Sequence, residues 1–226
     1  MDDRSPINPL PPVVSALAIV IAGVELILNL ASRGILGGRQ GVGWRVEAIQ
    51  DYGAYDALIE RMWAMGGACA ADVTRLVTYG FVHFSFMHAL MAVVLLLALG
   101  KIVGETFNPW SVLAIWVVSA VAGALVWSAA VDTDGPLFGA YPSVYGLVGA
   151  FTFMLWARLG GLGARRMRAF TLIGFLLLFQ LVFGLLFGGD YGWIADVAGF
   201  AAGFLLSFLV SPGGWRRALE RMRQRR

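Results

Sequence analysis

With 226 residues, 59% of them hydrophobic and 14% charged, and a mean hydropathy of +0.75, the chain falls well short of the roughly 25% charged residues of a soluble domain, so its main solvent is lipid. The net charge of +3 sits in arginines at the edges of apolar segments and in the tail RRALERMRQRR, a pattern that signals membrane topology and excludes nucleic-acid binding. A single cysteine, Cys69, excludes an internal disulfide; it has no thiolate or imidazole neighbour in sequence for a zinc site, and no cofactor is implied.

Residues 1–12, MDDRSPINPLPP, form an acidic, proline-rich tail without the basic start of a signal peptide, so the apolar stretch Val13–Leu30 is read as a retained helix. Ser32–Gly80 follows, with Trp44, Tyr52, Tyr55 and Trp63 among charges of both signs. Too amphipathic to span and too aromatic for a solvated linker, this segment is expected to lie partly embedded in the outer interface. Apolar segments then run Phe81–Leu99, Trp110–Val131, Ser143–Ala157, Phe170–Phe187 and Ile194–Val210, ahead of a basic tail over 212–226. A bilayer-crossing helix needs roughly 20 apolar residues, which gives about six spans in one domain over 13–211. The predicted class is an all-α membrane protein.

Six spans place both termini on one side. Arg158, Arg165, Arg166 and Arg168 then share that side with the basic tail, and Asp132, Asp134 and Asp190 lie opposite, so both termini are expected to be cytoplasmic, in a bacterial inner membrane. The arginine-rich tail is expected to bind anionic lipid headgroups. No internal repeat argues for a transporter of two related halves. Gly146 and Gly149 in the fourth span and Gly199 and Gly203 in the sixth are small residues at helical spacing, which lets two membrane helices approach closely, so these two spans are expected to pack together. Glu25 is an ionisable residue at membrane depth in the first span. It serves either a proton or ion path or a pairing with a polar group on a neighbouring helix, such as Gln180.

The most specific signal is RLVTYGFVHFSFMHALMAVV, Arg75–Val94, in which His83 and His88 are spaced by five near the end of an apolar helix. Further on come YGLVGAF at Tyr145–Phe151 and ADVAGFAAGF at Ala195–Phe204. Together these resemble, in order and on the corresponding spans, the motifs of the rhomboid intramembrane serine proteases, and the resemblance covers about residues 13–211. It implies the six-helix rhomboid fold with a long first loop. It also implies a serine on the fourth span activated by a histidine on the sixth, with a histidine and an asparagine on the second supplying oxyanion donors.

Residue by residue, the resemblance maps the family's GxSG signature onto Gly139, Ala140, Tyr141 and Pro142. The nucleophile position is therefore Tyr141 and the base position Asp196. His88 is retained as an oxyanion residue, but the asparagine position is Ala92. Pro142 has no backbone N–H to offer an oxyanion. Asp196 in a membrane helix costs about 2.5–3.5 kcal/mol unless it finds a partner, and the expected partner is the Tyr141 hydroxyl. Ser143 is the alternative nucleophile, but two positions along a helix turn a side chain by about 200°, away from the face Tyr141 presents. His83 reads as architectural or residually functional, and Arg75 as a donor to the long loop's carbonyls or a snorkelling interface arginine. The sequence thus points to a pseudoprotease that binds transmembrane segments of client proteins within the bilayer. The runner-up is an active intramembrane protease with an atypical site.

Overall fold

The computed structural model describes residues 9–64, 70–187 and 191–211. Cys69, Asp190, the first eight residues, the basic tail and the Trp63 side chain lie outside what it describes. The long helices are α1 (Pro12–Ser32), α6 (Phe86–Gly104), α7 (Pro109–Ala130), α8 (Tyr141–Gly161), α9 (Thr171–Phe187) and α10 (Gly192–Val210). The first loop folds into four short helices, α2 (Gly38–Gly41), α3 (Trp44–Tyr52), α4 (Asp56–Ala64) and α5 (Ala70–Thr78). Among the described residues, five of the long helices are long and apolar enough to cross a membrane; α9, at 17 residues, is the shortest of the six.

Local chemistry sets where these helices begin. Ser85 caps α6 by accepting the His88 backbone N–H at 3.3 Å, and residues 82–85 ahead of it are not helical. The helix therefore starts five residues later than the apolar run predicts, leaving His83 in the approach and His88 in the first turn. Asn108 caps α7 by accepting the Ser111 N–H at 2.9 Å, with Pro109 as first helical residue. Pro142 falls in the first turn of α8, where a backbone N–H has no intrahelical acceptor, so the helix loses nothing by it.

Helix α8 is the centre of the bundle, buried without interruption from Pro142 to Ala150 and packed against α6, α7 and above all α10. The α8–α10 contact is backbone on backbone. A Cβ on Gly199 would collide with the Pro142 carbonyl, one on Gly203 with the Gly146 backbone, and one on Gly149 with the Phe200 carbonyl. In lipid, where water exclusion does not drive helices together, such close approach supplies the dispersion that does. Among the described residues, α9 is the least packed of the long helices; its main neighbours are α8 and the 3-10 turn Arg166–Phe170.

The first loop is held on the bundle by directed polar contacts. Arg75 donates to the carbonyls of Gln50 (2.7 Å) and Gly53 (3.3 Å). Ala54 and Leu137 exchange backbone hydrogen bonds of 3.0 and 2.7 Å, and Ser128 of α7 donates to Asp56 at 2.7 Å. Glu25, only 4% exposed, does not pair with Gln180 as expected. Its carboxylate takes both guanidinium nitrogens of Arg45, at 2.7 and 2.9 Å. A charge at that depth requires a cation with matched geometry, and an arginine fork meets it better than a neutral amide.

Candidate functional site

Arg45 reaches beyond Glu25. Its Nη1 also donates to the His83 carbonyl at 2.6 Å, fixing the extended segment that leads into α6. His83 is fully buried, and its Nε2 accepts the backbone N–H of Ala140 at 3.2 Å. That bond requires the neutral ring with its proton on Nδ1. Burial pushes the His83 pKa down to about 3, helped by neighbouring His88 and Arg45 and opposed by the nearby Phe81 backbone, so the acceptor is available at neutral pH. The segment leading into α8 is thereby tied to the segment leading into α6.

Gly139 makes the approach possible. Its φ of +98° is a conformation side chains rarely adopt, its N–H donates to the Tyr79 carbonyl at 2.9 Å, and a Cβ there would lie 2.8 Å from His88 Cε1. The two imidazoles meet edge to face at 5.3 Å, and the Tyr141 ring stacks on His88 at 4.9 Å with 13° between planes. The Tyr141 hydroxyl donates to the His88 carbonyl at a long 3.5 Å.

This corrects the expected Tyr141–Asp196 link. Asp196, on α10, accepts the Gln180 amide of α9 at 2.6 Å. Tyr141 opens α8, and its ring stacks nearly parallel on His88. Asp196 instead meets the amide that the facing α9 brings to it. Ser143 is buried on the far side of α8 and donates to the Trp116 carbonyl of α7 at 2.9 Å, a helix-to-helix tie. Ala92 is fully buried in the hydrophobic core. Gly146, Gly199 and Gly203 lie in the α8–α10 contact, and Arg75 in the loop anchor. The positions the resemblance aligns as catalytic are thus engaged in stacking, packing and hydrogen bonds.

Around them lies a cavity of about 560 Å³. It is walled by His88 and Met91 of α6, Tyr141 and Tyr145 of α8, Phe175 and Gln180 of α9, and Asp196 of α10, and closed at one end by the 131–138 segment. Beside it, Met87 and Met91 of α6 and Phe175 and Phe179 of α9 are exposed. Arg45 escaped sequence reasoning, although the buried charge of Glu25 called for such a partner. Gln180 stands out in the sequence as a polar residue in an apolar span, but the acid it meets is Asp196 rather than Glu25.

Apolar helices packed through glycine backbones, with a polar-floored cavity sunk among them, define an integral multi-pass membrane protein in contact with the lipid bilayer. The Rhomboid domain model matches residues 70–213, more than half the chain, and the protein belongs to the rhomboid family. Among curated proteins, none matches the sequence.

Proposed function

We propose that the protein is a rhomboid pseudoprotease that binds transmembrane segments of client proteins. The observation that carries this reading is that Tyr141 and Asp196 occupy the nucleophile and base positions while Ser143, the nearest hydroxyl in sequence, donates to the Trp116 carbonyl on the opposite side of α8. A serine without a base within reach is a weak nucleophile. The cavity beside these residues persists, flanked by exposed apolar side chains of α6 and α9 that a client helix would cover. In this reading α9 is the fifth of six spans, both termini are cytoplasmic in a bacterial inner membrane, and the arginine-rich tail holds anionic lipids.

The test is to incubate the purified protein in liposomes with a helix-destabilised transmembrane substrate and with a fluorophosphonate probe. The expected result is neither cleavage nor labelling, together with photo-crosslinking to transmembrane peptides. Cleavage or labelling that disappears in Ser143→Ala would overturn the pseudoprotease reading in favour of an active protease with an atypical site.

A further inference from the structure

Gln180 uses only half of its amide. Its Nε2 donates to Asp196 at 2.6 Å, whereas its Oε1 is buried and has no hydrogen-bond partner among the described residues. A buried amide oxygen normally finds a donor. Beside it stands a carboxylate that is 4% exposed and forms part of the same cavity wall. The two groups present adjacent acceptors and a negative charge, to which Gln180 contributes a neutral donor. Among the residues lining the cavity, Asp196 is the one carboxylate, and no lysine or arginine is present. Trp127, Tyr141, Tyr145 and Phe179 also line it, and aromatic faces attract cations most strongly where water is excluded.

A multi-donor cation fits this set of groups. A metal ion does not, because one carboxylate and one amide oxygen are too few ligands. The exposed apolar residues of α6 and α9 beside the cavity indicate how the cation arrives: on the side chain of a helix that covers those residues. Asp196 lies about one helical turn, roughly 6 Å, below the start of α10 at Gly192. A lysine or arginine stem crosses apolar surface easily while its head seeks a polar partner.

Resting on the client-binding reading above, we propose that the cavity selects transmembrane segments carrying a lysine or arginine about one turn below the cavity-side membrane surface, with the cation docked between the Asp196 carboxylate and the Gln180 carbonyl oxygen.

The experiment measures binding of synthetic leucine-alanine transmembrane peptides, each with a photo-crosslinker, to the full-length protein in liposomes. One peptide carries lysine in the second turn from the cavity-side end, one carries leucine there, and one carries lysine at mid-helix. The second-turn lysine peptide is expected to bind about tenfold tighter than the other two, equal to about 1.4 kcal/mol. In Asp196→Asn the lysine-to-leucine ratio falls to about one. In Gln180→Lys, which keeps the carboxylate but supplies an ammonium from within, the ratio also falls to about one, so the proposal remains testable if Asp196→Asn fails to fold. Equal binding of lysine and leucine peptides to the unmodified protein, or a ratio that survives Gln180→Lys, overturns the proposed selectivity while leaving client binding standing. Binding of no peptide overturns both.

Discussion

Replacing Arg45 by alanine removes the partner of a buried carboxylate and, in the same step, the donor to a carbonyl ahead of α6. The Glu25 side chain is 5% exposed and that of Arg45 is 15% exposed, so water screens the pair poorly. Breaking such a pair from one side typically costs about 3–5 kcal/mol, because the remaining charge stays buried without compensation. For a chain of this size that corresponds to a fall in melting temperature of roughly 6–20 °C. The double replacement Glu25→Leu with Arg45→Met removes both charges and keeps the volume, and is expected to recover most of the loss, to within about 1 kcal/mol of the unmodified protein. The assay is thermal unfolding in detergent micelles followed by tryptophan fluorescence, run beside Arg45→Ala as a double-mutant cycle whose single corners are Glu25→Leu and Arg45→Met. Single replacements that each cost less than about 0.5 kcal/mol and add without coupling would refute the reasoning that this pair anchors the loop to α1 and α6.

Ser143→Ala is expected to cost about 1 kcal/mol through loss of the Trp116 hydrogen bond, with client crosslinking unchanged. Gly203→Ala drives a methyl group into the Gly146 backbone and should lower stability by about 2 kcal/mol, whereas Gly174→Ala, on α9 with open space at its Cβ, should raise it by up to about 1 kcal/mol; unfolding curves of the two variants must move in opposite directions. His83, with its pKa lowered from 6.5 to about 3, takes up a proton in the unfolded chain before it does so in the folded one. Its contribution to stability is full above pH 6.5 and declines as the pH falls toward 3, by about 1.4 kcal/mol per unit. The unfolding midpoint should therefore drop between pH 7 and pH 5, and His83→Asn should flatten that part of the profile.

Features encoded along one helix were legible in the sequence, and features that depend on which helices face each other were less so. The long helices follow from runs of apolar residues, and the α8–α10 contact follows from Gly146, Gly149, Gly199 and Gly203 because close packing in lipid demands small residues at helical spacing. Hydropathy misplaces the start of α6 because Phe81 and Val82 are as apolar as the helix itself, while the Ser85 cap that starts it is a local hydrogen bond rather than a hydropathy signal. The partners of Glu25 and Asp196 are hidden for the same kind of reason: a sequence shows that a buried acid needs a donor, but Arg45 and Gln180 reach their acids across twenty and sixteen positions, through tertiary contacts that periodicity does not encode. Alignment with a catalytic dyad assigns Tyr141 to Asp196, yet a phenol ring is larger than a serine hydroxymethyl group. It finds its best contact against the His88 imidazole.

Gly139 is required by the shape of the backbone around it. Its left-handed turn passes directly over the His88 ring, at a distance that leaves no room for even a methyl group. The resemblance places the residue in the signature around the family's nucleophile position, and here it stands two residues ahead of a tyrosine, where its positive φ and the nearby imidazole both call for glycine. Designers who wish to install a new side chain at Tyr141 inherit the turn, and with it a fixed point of entry into α8 that no choice at that position will move.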